Sequence, residues 1–273
     1  MSFYRFLSEI TAGTWLIAPE NIPQYQQIAR TILNGGFMNE TKPELSSIIG
    51  KEVSNSRGES ILQDQVGVVE MIGAMTKYSG PCNIGAIEIA DEMLRLDSNS
   101  NVQAHVIVFD GPGGNGDAMP VFHELKKKLT KPVVGYVEKA DSLHLWAALE
   151  LCDKIVIANN LTAEMGSVGV LVAFDKSAKE VIYVRPPESQ DKIQEYISAF
   201  EGDTSLLEQK LSPLAKHFQN GVKSNRPNVP DEALHGKTYV GKEAIKIGFA
   251  DVMGDMQKAY NMAVTLSKLK PLK

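Results

Sequence analysis

The run Val106-Ile107-Val108-Phe109-Asp110-Gly111-Pro112-Gly113-Gly114 contains the feature that decides the fold, a buried strand that ends in a glycine turn. A succession of apolar residues that are β-branched or aromatic is typical of a strand buried on both faces. A helix is predicted after the turn, over residues 120–129, and a further strand over residues 133–137. Strand, helix and strand in this order predict parallel neighbouring strands joined by right-handed crossovers.

The same alternation continues on both sides of this unit. Further strands are predicted over residues 66–72 and 154–158, and further helices over residues 84–96, 142–152 and 189–223. A short strand, turn and helix follow over residues 236–244. The predicted fold class is therefore α/β, with a mostly parallel sheet.

The N-terminal residues depart from this pattern. Residues 1–35 follow a helical period of apolar side chains, whereas residues 36–60 are polar and contain glycine and proline. We therefore predict an N-terminal helical arm and linker over residues 1–60. The main domain is predicted over residues 61–258, and a helix end with a basic tail over residues 259–273.

Composition excludes several classes of protein. The chain has 273 residues, of which 43% are hydrophobic and 22% charged, values typical of a globular protein that needs no disulfide or metal staple. The formal net charge of −5 argues against a nucleic-acid-binding protein, which would carry a basic stripe. No run of apolar residues is long enough to span a membrane, and the N-terminus is a poor signal peptide. We expect a cytoplasmic protein.

The cysteines predict neither a disulfide framework nor a metal site. Cys82 and Cys152 are the two cysteines of the chain, and neither has a second cysteine or a histidine at ligand spacing. A reducing compartment fits this usage. No metal and no cofactor are expected.

The glycine turn is the first segment that could carry chemistry. Consecutive glycines such as Gly113 and Gly114 let backbone N–H groups approach a ligand closely, and such donors can hold a developing oxyanion. The alternative interpretation is an ordinary tight turn after a strand. A phosphate loop is disfavoured because no Gly-Lys-Ser/Thr follows.

The second segment is Ala140-Asp141-Ser142-Leu143-His144, at a predicted strand-to-helix junction. A serine there can be a nucleophile, because the helix dipole stabilises an alkoxide. Alternatively, Asp141 or Ser142 is the N-cap of the helix. His144 is not expected to pair with Ser142, because helix positions two apart do not face each other, and it is interpreted as a core or surface histidine.

Two later segments complete the candidate site. Residues 166–170, which begin with Gly166 and Ser167, are interpreted either as an edge that binds an extended peptide or as an ordinary strand. A lysine desolvated by burial could serve as the general base for a serine, and Lys176, Lys179 and Lys192 follow this strand.

In this order the segments resemble the signal peptide peptidase A family of serine peptidases, from about residue 65 to residue 259. The resemblance is closer to its phage branch, the head-assembly peptidases encoded beside the portal protein. Residues 110–114 are similar to the family's Asp-Ser-Pro-Gly-Gly turn, with Gly111 in place of its serine, and residues 166–170 to its Gly-Ser-Ile-Gly-Val strand. Residues 218–226, 236–244 and 248–251 resemble its C-terminal signature.

The resemblance implies a ClpP/crotonase-like fold, a spiral of repeated strand-strand-helix units that normally forms a homo-oligomer. It also implies a Ser–Lys dyad of Ser142 and Lys192, with Gly113, Gly114, Leu143, Gly166 and Ser167 as the oxyanion-binding and substrate-binding residues. An ungapped count puts the family's serine on Leu143, one place after Ser142. A slip of one residue turns a helical side chain by about 100°. Either a local bulge restores Ser142 to the site, or the site is inactive.

Three functional hypotheses follow. The leading one is a serine endopeptidase whose partner is a polypeptide substrate, a phage capsid or scaffold protein. The second is a catalytically inactive family member that acts as an oligomeric assembly or scaffold component. The third, a crotonase-like acyl-CoA enzyme, is disfavoured by the C-terminal signature. Under none of them is nucleic acid or a membrane an expected partner.

Overall fold

A computed structural model describes residues 15–17, 27, 31, 44–80, 83–172, 182 and 184–269. The strands of these residues are β1 (Trp15–Ile17), β2 (Ser46–Ser54), β3 (Ser60–Ile72), β4 (Val102–Gly111), β5 (Gly113–Asn115), β6 (Val133–Asp141), β7 (Lys154–Ile157), β8 (Glu164–Gly166), β9 (Thr238–Val240) and β10 (Val252–Met253). The α-helices are α1 (Ala86–Ser98), α2 (Met119–Lys128), α3 (Leu143–Leu151), α4 (Gln194–Phe200), α5 (Ser205–Asn225), α6 (Lys242–Ile247) and α7 (Met256–Leu269).

Eight of these strands form one mixed sheet, in the spatial order β10-β7-β6-β4-β3-β2, with β8 on β6 and β9 on β8. The pairs β10/β7, β7/β6, β6/β4, β4/β3 and β6/β8 are parallel, whereas β2/β3 and β8/β9 are antiparallel. Along one edge of β6, the first half of the strand pairs with β7 and the last three residues pair with β8. The carboxyl end of β6 therefore lies between β4 and β8.

The sheet is covered by helices on both faces, because its central strands are apolar on both faces. The larger core contains the inner sides of α1 and α2 together with all of α3 except Glu150, and the smaller core is closed by α7. Helix α3 has no polar face, and this is why it is buried between the sheet and α5. Trp146 of α3 stacks on Phe218 of α5, with ring centroids 4.7 Å apart.

The predicted α/β class with a mostly parallel sheet is confirmed, and each strand predicted between residues 66 and 158 is present. The helix predicted over residues 189–223 is divided into α4 and α5. Gly202, between them, has a φ of 102°, which ends a helix readily because glycine has no Cβ.

The N-terminal prediction is wrong in two places. Residues 15–17, predicted as helix, form β1, which pairs with β5. Residues 46–54, predicted as part of a linker, form the edge strand β2, which makes a hairpin with β3. None of the residues of β2 is fully buried, so the strand needs few large apolar residues, and its polar composition concealed it. Cys82, Lys176 and Lys179 lie outside the described residues.

Within the part of the chain that the structure describes, none of the helices combines the length and apolarity that crossing a bilayer requires. Over the same residues, no three histidine, cysteine or acidic side chains are grouped as metal ligands would be.

Candidate active site

Ser142 stands on a strained turn between β6 and α3. Its φ of 52° and ψ of −113° lie in a region that non-glycine residues rarely adopt, at a cost of about 1–3 kcal/mol. Its N–H donates to the Gly166 carbonyl at 2.8 Å, and its carbonyl accepts the first helical bond from the Trp146 N–H at 3.0 Å. Strand pairing on one side and the helix on the other therefore hold this conformation.

The hydroxyl of Ser142 does not cap α3, since it makes no hydrogen bond to the first-turn amides of the helix. Ser142 thus occupies the N-cap position, as one interpretation predicted, but its side chain makes no capping hydrogen bond. A serine on a sharp strand-to-helix turn, with its hydroxyl released from capping, is the geometry that active-site nucleophiles adopt in several α/β hydrolases.

Leu143 is the first residue of α3, and its side chain is fully buried in the larger core. The residue that the ungapped count put at the nucleophile position thus points into the core. Ser142, one position earlier, is the residue with the positive φ. The N–H of Leu143 is the first amide of α3, next to Ser142, and an amide in the first turn of a helix has no acceptor within the helix. It is available to an oxyanion.

A charged cluster lies directly before Ser142. Lys139 Nζ is 2.9 Å from Glu164 Oε1 and 3.3 Å from Oδ2 of the buried Asp141. Burial lowers the pKa of Lys139, but the hydrogen bond to Glu164 and the charges of both carboxylates outweigh burial, so this pKa is raised. Lys139 is therefore held protonated, and it is unsuited to the role of general base.

His144 ties α3 to the glycine turn. The N–H of Gly113 donates to His144 Nδ1 at 3.1 Å in a buried environment, so the neutral ring carries its proton on Nε2. Burial lowers the pKa of His144 to about 4, against the opposing effect of the Met71 and Gly113 backbones. The ring is therefore neutral near pH 7, and its acceptor nitrogen is engaged by Gly113.

The same ring accounts for the glycine at position 111. A Cβ on Gly111 would lie 2.2 Å from His144 Nε2 and 2.6 Å from the Gly73 carbonyl oxygen. A serine at this position cannot coexist with the imidazole where it stands. The His144 ring in this position therefore requires a glycine at position 111.

The glycine strand β5 is bound on both sides. Met75 donates its N–H to the Gly113 carbonyl at 2.9 Å, and the Met75 carbonyl accepts from the Asn115 N–H at 2.8 Å. A Cβ on Gly114 would lie 1.9 Å from the Met75 carbonyl oxygen, so only glycine fits there. On its other side β5 pairs antiparallel with β1.

The remaining predicted site residues lie on β8 and on a later turn. Gly166 accepts from the Ser142 N–H, and the Ser167 N–H donates to the Lys237 carbonyl at 2.8 Å, so both residues are adjacent to the serine turn. Lys192 is exposed in a turn that precedes α4, where its carbonyl accepts from Arg185 at 3.0 Å. The structure thus brings Ser142, Leu143, Gly113, Gly114 and Gly166 together, and it leaves Lys192 in solvent.

A rival nucleophile in the described residues is unsuited to this role. Cys152 is buried at the other end of α3, and burial raises the pKa of its thiol to about 12. It is a packing residue, since the thiolate is the reactive form of cysteine.

Sequence reasoning missed three features of this site. They are the Gly113–His144 hydrogen bond, the ion pairs of Lys139, and the pairing of β1 with the glycine strand. The alternation Lys139-Ala140-Asp141 was a usable signal, because residues two apart on a strand share a face. No local signal predicts the other two, because each joins residues that are distant in sequence.

The fold and this turn together define a class of protein. An α/β sheet that places a serine at a strand-to-helix turn, with a hydroxyl that does not cap the helix and with helical amides beside it, has the groups needed for nucleophilic attack on an acyl group. No family model matches the chain. In sequence the chain is similar to "Serine protease SPPA, chloroplastic" of Arabidopsis thaliana, with 25% identity over 220 residues. This alignment covers 74% of the chain but 32% of that protein, so the chain spans about a third of the relative's length.

Three solved structures that match the chain each have a TM-score below 0.5. A serine-to-alanine mutant of the 1510-N membrane-bound stomatin-specific protease is 20% identical, with a TM-score of 0.43 over 72% of this chain and 84% of that chain. A lysine-to-alanine mutant of the same protease in complex with a substrate peptide is 20% identical, with a TM-score of 0.41 over 70% of this chain and 76% of that chain. A putative enoyl-CoA hydratase/isomerase from Acinetobacter baumannii is 13% identical, with a TM-score of 0.42 over 78% of this chain and 80% of that chain.

Proposed function

We propose that this chain is a serine endopeptidase of the signal peptide peptidase A type, with Ser142 as its nucleophile. The observation that carries the proposal is the strained φ of Ser142 together with a hydroxyl that does not cap its helix. A conformation this costly persists only where surrounding structure maintains it, and such strain is concentrated at functional sites. The sequence similarity to a serine protease supports the same chemistry.

In the proposed reaction, the Ser142 oxygen attacks the carbonyl carbon of a peptide bond and its proton passes to a lysine amine. The Leu143 N–H donates to the oxyanion, because it is the first amide of α3 and has no acceptor within the helix. The carbon–nitrogen bond then breaks, and the leaving amine takes the proton. Water hydrolyses the resulting acyl-enzyme and regenerates Ser142.

We assign the role of general base to Lys192, as the family resemblance implies. A lysine takes a proton at neutral pH only when it is desolvated, and Lys192 is exposed in this structure. The proposal therefore includes burial of Lys192 when a polypeptide binds. Lys139 is a poor alternative because two carboxylates hold it protonated.

The substrate we propose is an extended polypeptide, of the class of phage capsid or scaffold proteins, and the working form is a homo-oligomer. The similarity to a serine protease supports a polypeptide substrate. The phage role, the oligomer and the cytoplasmic location rest on the resemblance of the sequence motifs and on composition.

The second candidate is an inactive family member that acts in assembly. Two observations favour it: Lys192 is in solvent, and the N–H of Gly113 is taken by His144. Under this hypothesis Ser142 retains its strained turn as part of the architecture and does not react with an acyl group.

Covalent labelling separates the two candidates. We expect a fluorophosphonate probe to label the wild-type chain and not Ser142→Ala, while Ser98→Ala, which removes an exposed hydroxyl, labels normally. Hydrolysis of fluorescein-labelled β-casein should be abolished by Ser142→Ala and by Lys192→Met, and should be unchanged by Lys216→Met on the exposed face of α5. Equal casein hydrolysis by wild type and Ser142→Ala would remove Ser142 from the mechanism. Neither labelling nor hydrolysis in wild type would favour the assembly role.

A further inference from the structure

Strand β1, near the N-terminus of the chain, pairs with the edge of the glycine strand β5 that does not bond to Met75. Strand β1 pairs antiparallel with β5, with Trp15 opposite Asn115, Leu16 opposite Gly114 and Ile17 opposite Gly113. These residues are separated from the sheet by more than 25 residues of chain, so the pairing is not the product of a local hairpin.

The backbone directions in β5 show which groups β1 covers. The Gly113 carbonyl and the Asn115 N–H both bond to Met75. Because successive residues of a strand point their backbone groups to opposite sides, the N–H and carbonyl of Gly114 point away from Met75, towards Leu16. These are the backbone groups through which β5 can pair with another extended chain.

This edge lies beside the candidate nucleophile. Gly113, the first residue of β5, is hydrogen-bonded to His144, two residues after Ser142. Ser142 itself is only 1% exposed, so a polypeptide cannot reach its hydroxyl in this conformation. An extended substrate that pairs with Gly114 would use the same N–H and carbonyl that β1 uses. Because one edge accepts one strand, the substrate and β1 exclude each other.

We propose that residues 15–17 are a built-in competitor of the substrate, a strand that closes the peptide-binding edge until it is displaced. The inference rests on the proposed function, because it identifies the edge of β5 as the surface that holds the substrate. The chain is thus self-inhibited, and the release of β1 from Gly114 is the step that admits a polypeptide to Ser142.

A pair of proline substitutions in the full chain tests this. Leu16→Pro removes the N–H that faces Gly114, whereas Ile17→Pro removes one that faces away from β5, as the register and the strand alternation require. The loss of one backbone hydrogen bond corresponds to about a five-fold change in the closed-to-open equilibrium. We expect Leu16→Pro to raise the rate of β-casein hydrolysis about five-fold or more, and Ile17→Pro to raise it less.

Two readouts that need no catalysis keep this result separate from the proposed function. In the Ser142→Ala background, Leu16→Pro should strengthen the binding of fluorescein-labelled β-casein about five-fold. It should also speed hydrogen exchange at the Gly114 amide, and Ile17→Pro should not.

The outcomes distinguish the two proposals. Faster exchange and tighter casein binding without hydrolysis in any variant would support the self-inhibited edge and overturn the peptidase. Hydrolysis that is equal in wild type, Leu16→Pro and Ile17→Pro would leave the peptidase intact and overturn the inhibitory strand. Exchange at Gly114 that is unaffected by Leu16→Pro would also overturn it.

Discussion

Substitution of Gly111 by alanine tests the link between the glycine turn and His144. The added Cβ would lie 2.2 Å from His144 Nε2 and 2.4 Å from Cε1, well inside the ordinary contact distance of about 3.5–4.0 Å. The imidazole must move by more than an ångström, and this breaks its hydrogen bond with Gly113. Overpacking of this kind costs about 1–3 kcal/mol, and the lost hydrogen bond adds about 1 kcal/mol.

The assay is urea unfolding followed by circular dichroism, on four variants. We expect Gly111→Ala to lower the free energy of unfolding by about 2–4 kcal/mol. Gly169→Ala is the matched control, because an added Cβ there meets no atom within 4 Å, and its effect should stay within about 0.5 kcal/mol. In the double variant with His144→Ala, the vacated imidazole leaves space for the new methyl group, and the two costs should be less than additive.

The double-mutant cycle decides whether the reasoning holds. Rescue by His144→Ala is expected to be partial, because the Cβ of residue 111 would still lie 2.6 Å from the Gly73 carbonyl oxygen. A coupling of about 1 kcal/mol or more between Gly111→Ala and His144→Ala supports a steric conflict between a side chain at position 111 and the imidazole. Costs that add to within about 0.3–0.5 kcal/mol, or a Gly111→Ala variant as stable as wild type, would refute it.

Three further predictions concern buried charge. Below pH 6.5 the unfolded chain takes up a proton on His144 that the folded chain excludes until about pH 4. The free energy of unfolding should therefore fall by about 3 kcal/mol as the pH falls through this window. In urea titrations at several pH values, His144→Gln should reduce this dependence on pH. Lys139→Met removes the cation beside the buried Asp141 and should cost about 1–3 kcal/mol by thermal unfolding, whereas Lys139→Arg should recover most of the loss. Asp251→Asn keeps the shape of the side chain that accepts from Arg226 at 2.8 and 3.1 Å but removes its charge, and a loss of about 1–3 kcal/mol is expected in chemical unfolding, a cost that an unchanged unfolding midpoint would contradict.

The sheet could be predicted from local sequence because its central strands are continuous runs of apolar residues. Runs such as residues 66–69 and 106–109 are apolar on both faces, a composition typical of strands buried between helices on both sides. The helices between them are amphipathic or wholly apolar, and therefore their order with the strands fixed the class of fold. The edge strand β2 and the short strand β1 lack this signal, because their stability comes from pairing with distant residues.

The candidate site was only partly predictable. Glycines at the end of β4 and a serine at the end of β6 indicated the position of the candidate site, because the carboxyl ends of parallel strands meet at one edge of the sheet. Counting along the chain could not decide between Ser142 and Leu143, because a count assumes regular geometry. The choice depends on one backbone angle at Ser142, which is maintained by a hydrogen bond to Gly166.

By itself, the sequence determined the alternation of strands and helices and the position of a glycine turn beside a strand-to-helix junction, because these follow from hydrophobic period and residue type. Tertiary structure alone decided that Leu143 is buried and that the Ser142 hydroxyl does not cap α3, that Gly113 donates to His144, and that β1 lies on the glycine strand. Each of these depends on a contact between residues far apart in the chain, whose geometry is set by packing and backbone pairing rather than by any local preference.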